Sequence, residues 1–198
     1  MTASATHARS RTALLLVDLQ EGTCGLAQAQ QRPAFLSLFR QRALPGLQQA
    51  LACSRRRGHE VIHTVIANLT ADGRDRSADY NRGGMGFPPG SFEAGVIPEL
   101  APRADELVLP KSSSSPFSST TLDYLLRNMG ITRLVVAGIL TDQCIDHTVK
   151  DAADRGYAVV CLQDACMAES LERHEAALRC FQGYGELITV ERFLAAPG

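Results

Sequence analysis

Three residues of this 198-residue chain have the types and the places to do chemistry together. Asp18 sits near the end of the apolar run TALLLVDL, Lys111 directly follows LVLP, and Cys144 follows LVVAGIL, where a strand pattern hands over to a helical one. An aspartate behind five apolar residues is expensive to ionise unless a positive charge is near, and Lys111 has the matching difficulty. Placed together, the two charges compensate one another. An ammonium beside a thiol favours the thiolate, as does the positive end of a helix that the cysteine begins. The aspartate can then take the thiol proton and return it to a leaving amine. Taken singly each residue has an ordinary explanation: a buried free cysteine, a cap, a solvated charge. The weight rests on all three falling together on adjacent strand ends.

The elements that must position them can be read from the pattern of apolar residues. TALLLVDL (12–19) is apolar almost throughout, as a strand covered on both faces should be. Helical spacing follows from Pro33 to about Arg57, restarting near Pro45 and stopping at Gly58. EVIHTVIA (60–67) and DELVLP (105–110) read as the second and third strands, and TRLVVAGI as the fourth. LDYLLRNMG is a helix closed by Gly130, and DQCIDHTVKDAADRG one closed by Gly156. YAVVCLQDA and ELITVERF add two strands around a helix near Leu171 to Phe181. Alternating strands and helices predict an α/β fold with a parallel sheet covered on both sides, whose ligands bind beyond the carboxyl ends of the strands. The polar, Gly-rich stretch 68–91 lacks clear periodicity and reads as a functional loop, lid or partner-contacting arm.

Composition narrows the function classes. A chain of this length forms one domain, here 12–198 behind a flexible tail at 1–11, and buries about 70% of its unfolded surface without needing a metal or disulfide. Twenty Lys plus Arg stand against 21 Asp plus Glu, so nothing suggests a nucleic-acid or membrane partner. The six cysteines lack the tight spacing of a disulfide framework, which points to a reducing, cytoplasmic setting. No signal-peptide core and no run of membrane-spanning length is present.

The blocks LLLVDLQ, LPKSSSSPFSST and VVAGILTDQCIDHTVKDAADRGYAVVCLQDA resemble the signature blocks of the isochorismatase-like cysteine hydrolases, over about Thr12 to Phe193. The resemblance implies a Rossmann-like three-layer α/β/α sandwich on six parallel strands, with a catalytic triad falling on Asp18, Lys111 and Cys144. It implies a thioester formed by attack on a carbonyl carbon, then hydrolysed by water. It also implies a cis peptide between Ile139 and Leu140, aiming the amides of Leu140 and Cys144 at the developing oxyanion. Enzymes of this family that cleave the vinyl ether of isochorismate need no thiol, so Cys144 favours hydrolysis of an amide, ureido or carbamoyl C–N bond, with vinyl-ether hydrolysis as the alternative. The metal-binding Asp and two His of nicotinamidases have no counterpart in the loop after the second strand, which contains no histidine; His63 lies earlier, inside the strand pattern. No metal or cofactor is therefore expected. Family members are commonly dimers or tetramers, and a homo-oligomer acting on a small molecule is expected here.

Position alone suggests further pocket residues. Gln20 lies on the same side of an extended chain as Asp18, Asn68 can bind an amide through both donor and acceptor, and Phe117 can supply an apolar wall. Arg74 and Arg76 can meet a substrate carboxylate or form a solvated charge run. Rival chemistries are weaker. A papain-like pair of Cys144 with His147 ignores Lys111, and zinc binding by Cys161 and Cys166 lacks a second ligand pair. A dinucleotide-binding module would need GxGxxG where this chain has DLQEGTCG, and an oligomerising scaffold would have no use for all three triad positions.

Overall fold

A computed structural model describes residues 12–196. The expected tail at 1–11 lies outside them. Six parallel strands form one sheet: β1 (Thr12–Val17), β2 (Glu60–Ile66), β3 (Leu107–Lys111), β4 (Arg133–Ile139), β5 (Ala158–Met167) and β6 (Glu186–Ile188). Their order is β3-β2-β1-β4-β5-β6, so the chain reverses its direction of winding between β1 and β4. A crevice opens at such a switch point beyond the strand ends, and Asp18 and Cys144 flank it.

β1 shows why the sheet is covered on both sides. Leu14 and Leu16 point into one apolar layer with Leu47, Leu51 and Phe193; Ala13, Leu15 and Val17 point into the other with Leu126, Val149 and Phe181. Period-2 alternation thus divides one continuous apolar run between two cores. The first layer is closed by helices Pro33–Leu38, Leu44–Arg56 and Val190–Ala195, the second by Leu122–Asn128, Asp146–Asp154 and Leu171–Cys180. The result is the three-layer sandwich that the alternating pattern predicts.

Several boundaries differ from the sequence reading. A five-residue π turn, Phe39–Ala43, joins Pro33–Leu38 to Leu44–Arg56, so the chain stays helical up to Pro45 in the first turn of the longer helix. ELITVERF is a strand for only three residues. The Thr189 side chain accepts from the Arg192 amide and caps helix Val190–Ala195, which local capping favours over further edge pairing. β3 runs one residue past Pro110, so Lys111 belongs to the strand itself. The arm 68–91 contains a short helix, Ala78–Gly83.

Candidate active site

Asp18 leaves β1 in the left-handed region, at φ 59°, a conformation that aspartate tolerates better than most residues. It is pinned there on three sides. Its amide donates to Thr64 O at 3.0 Å, its carbonyl accepts from Thr23 Oγ1 at 2.6 Å, and its Oδ1 accepts from Thr64 Oγ1 at 3.1 Å. The other oxygen, Oδ2, makes no hydrogen bond and faces Lys111 Nζ at 2.9 Å.

Sequence reading expects adjacent strand ends, but β2 lies between β1 and β3. Two strand spacings of about 4.8 Å separate the backbones, so only a long side chain can close the gap. Lys111 does so with its stem fully buried. Nζ meets Asp18 Oδ2, the Tyr80 hydroxyl at 2.6 Å, the Ser113 carbonyl at 2.9 Å and Cys144 Sγ at 3.5 Å. Burial alone would push the ammonium toward deprotonation. Asp18 and Cys144 outweigh it and hold the Lys111 pKa above its usual value.

β4 is pressed against β1 at Gly138, which pairs with Val17 at φ +135°; a Cβ there would lie 2.2 Å from Val17 O. The next peptide, Ile139–Leu140, is cis. Cys144 stands in a π turn, Thr141–Ile145, which leads into helix Asp146–Asp154. The amides of Gln143 and Ile145 both donate to Leu140 O, an arrangement that skips the Cys144 amide. Burial pushes the Cys144 thiol up to about 12 despite the opposing charge of Lys111. Burial thus works against the thiolate that the sequence reading expects, and Lys111 works for it. Burial also raises the Asp18 pKa, against the pull of Lys111, which suits a group that must accept and return a proton.

Asp18 and Cys144 line a pocket of about 280 Å³ with Ile66, Met85, Ile139 and Leu140 as its apolar wall. Arg32, Gln143, Glu169 and Arg173 line its polar side. Arg32 donates to Glu169 through two nitrogens and to Thr23 O at 3.0 Å, while Arg173 pairs with Asp142.

None of the three positional guesses reaches this pocket. Gln20 is fully buried and clamps the chain instead: Nε2 donates to Ile66 O at 3.0 Å and Glu93 O at 2.9 Å, and Oε1 accepts from the Ile66 amide. Asn68 donates its amide to Phe87 O at 2.8 Å and packs its side chain against Gly73 and Gly86 inside the arm. Phe117 is buried in the helix layer, 6.0 Å from the Tyr157 ring and beneath the Arg155 guanidinium. Arg74 is exposed on Asp72, and Arg76 donates to Gly73 O and Met85 O. His147 is exposed and lines a different cavity from Cys144. His63 is a core residue beside Glu106, and Cys161 and Cys166 pack sulfur against sulfur at 3.8 Å. No group of side chains able to hold a metal ion occurs among the described residues.

The sequence reading missed Tyr80, Arg32, Glu169 and Arg173. Tyr80 comes from helix Ala78–Gly83 of the arm, which is tied to the segment after β3 by Ser77 N to Ser112 O at 2.9 Å and Ser114 Oγ to Asp79 Oδ2 at 2.9 Å. Its hydroxyl lies 3.5 Å from Cys144 Sγ. An aromatic inside a polar stretch, one of two there with Phe87, was the only signal available.

Fold and site define an α/β protein that gathers a carboxylate, an ammonium and a thiol at the switch point of a parallel sheet. The chain belongs to the Isochorismatase domain family, a family of hydrolases whose profile matches residues 12–192. It is 29% identical over 189 residues to the isochorismatase family protein YwoC of Bacillus subtilis, covering 93% of each chain. It is 27% identical over 188 residues to the ureidoacrylate amidohydrolase RutB of Acinetobacter baylyi, covering 86% of this chain and 77% of that one. A cysteine hydrolase from Pseudomonas syringae pv. phaseolicola shares the fold, with a TM-score of 0.81 at 23% identity over 93% of this chain and 91% of the other.

Proposed function

We propose that this protein is a cysteine-dependent hydrolase that cleaves the C–N bond of a small amide, ureido or carbamoyl compound through a thioester. The observation that carries the reading is the Cys144 thiol on a pocket wall with a buried Asp18–Lys111 pair beside it. Similarity to the amidohydrolase RutB supports the same bond type.

The reaction follows from the groups present. Asp18 takes the S–H proton as sulfur attacks the carbonyl carbon, and Lys111 offsets the charge developing beside it. The carbonyl oxygen becomes an oxyanion, met by the amides of Leu140 and Cys144. As the C–N bond breaks, Asp18 returns the proton to the departing nitrogen, leaving a thioester. Water then attacks with its proton passing to Asp18, and collapse releases the acid and restores the thiol.

A screen of small amides, ureas and carbamoyl compounds for ammonia or amine release tests the reading. Release by the wild type and none by Cys144→Ala is expected. Pyruvate from an isochorismate-type enol ether, retained in Cys144→Ala, would replace it with vinyl-ether hydrolysis.

A further inference from the structure

We infer that Tyr80 is a catalytic residue of this site: its hydroxyl accepts a hydrogen bond from Lys111 and donates its own to Cys144 Sγ, stabilising the thiolate formed during attack. The inference rests on the cysteine-hydrolase reading and adds to it a part supplied by the 68–91 arm.

Donor counting carries it. An ammonium has three hydrogens and no lone pair, so Nζ can only donate. It donates to Tyr80 Oη at 2.6 Å, Ser113 O at 2.9 Å and Cys144 Sγ at 3.5 Å, while Asp18 Oδ2 faces it as an ion-pair partner at 2.9 Å. The contact to Tyr80 is the shortest of the three, so the phenol oxygen is held as an acceptor. Tyr80 Oη, committed as acceptor toward Nζ, has one hydrogen to place. Among the described residues Sγ, at 3.5 Å, is the acceptor within its reach, and Tyr80 is buried away from water. Leaving that hydrogen unpaired would cost more than making a sulfur contact.

The sulfur's own proton is then free to face Asp18 Oδ2, the carboxylate oxygen that makes no hydrogen bond. One line of donors runs from Lys111 through Tyr80 to Cys144. The ammonium polarises the phenol, and the phenol delivers that polarisation to sulfur as a directed hydrogen bond. Tyr80 keeps its proton throughout, because burial and the neighbouring Cys144 and Asp18 hold its pKa far above the ordinary phenol value.

The test compares the rate of Cys144 alkylation by iodoacetamide at pH 8 in the wild type, Tyr80→Phe, Asp18→Asn and Lys111→Ala, read by mass spectrometry. Cys180, which is exposed, serves as the internal standard. Loss of a hydrogen bond to a charged group predicts about ten- to hundredfold slower labelling of Cys144 in Tyr80→Phe, with Cys180 unchanged. Tyr124→Phe, an exposed tyrosine, should match the wild type. Replacing all tyrosines by 3-fluorotyrosine keeps the shape and makes the phenol a stronger donor. Labelling of Cys144 should then speed up, a response that a merely structural ring would not give, and this arm decides if Tyr80→Phe does not fold. Labelling that depends on Asp18 and Lys111 but ignores both tyrosine changes overturns the role of Tyr80 and leaves the hydrolase reading standing. Labelling of Cys144 no faster than buried Cys53, and blind to Asp18 and Lys111, overturns both.

Discussion

Asp18 and Lys111 form a pair that neither residue can leave without consequence. Lys111→Met strands a carboxylate in the core, which should cost about 3–5 kcal/mol. That deficit depends on pH with a definite sign. Once Asp18 is protonated no charge is stranded, so the melting-temperature gap between wild type and Lys111→Met should narrow as pH falls. A gap that stays constant or widens would show that Asp18 is not the stranded group. The proposed reaction needs Asp18 ionised, and burial raises its pKa above 3.8, so activity should rise with pH along a limb displaced above the ordinary carboxylate range. Rate measurements across that range check it, and Asp18→Asn should abolish turnover. The meeting of Asp18, Lys111 and Cys144 was legible in the sequence because each is a polar residue interrupting or ending an apolar run. Gln20, Asn68 and Phe117 were misplaced because, past the end of a strand, alternation no longer says which way a side chain turns. Gln20 turned inward to satisfy the peptide of Ile66 and the Glu93 carbonyl, a need visible only once the chain is folded.

The strands were readable for the same reason that they are buried: a parallel strand covered on both faces is apolar throughout. What pattern could not show is how closely two of them approach. Gly138→Ala would drive a methyl into Val17 O at a backbone where neither strand can yield, so a loss of about 3 kcal/mol or more is expected in denaturant unfolding. A near-neutral result would mean that β1 and β4 can separate. β3 is held at its entrance by Glu106, which accepts from Arg55 Nε and Nη2 at 2.7 Å each and from the Arg103 amide at 2.8 Å. Burial would raise the Glu106 pKa, but these donors outweigh it and bring it down to about 2 from 4.5. A depressed folded pKa means that the stabilisation is complete above about pH 4.5 and lost as pH falls toward 2. The thermal midpoint of wild type should therefore exceed that of Glu106→Gln at neutral pH and converge on it in that window. Arg55 and Glu106 are 51 residues apart, a pairing that no local pattern announces.

At the scale of the whole molecule, alternation of strands and helices was enough to specify a covered parallel sheet, because few arrangements bury both faces of such strands. Strand order was not readable from alternation. The two arginines of the pocket come from segments 141 residues apart in number, Arg32 and Arg173, and only the fold brings them to one mouth. With no metal-ligand group among the described residues, we expect dialysis against a chelator to leave turnover unchanged, as an activity assay before and after will show. Lys111 has a different kind of dependence on the whole. It hangs from β3, the outermost strand of its side, whose alternate residues are half-exposed. Outer strands open at lower free energy than central ones. The enzyme would then carry a fuse. Mild urea should silence it while far-UV ellipticity is still native, and it should regain activity on dilution, because Cys144 and Asp18, the proposed nucleophile and base, stay together beyond the ends of the two innermost strands while Lys111 drifts away.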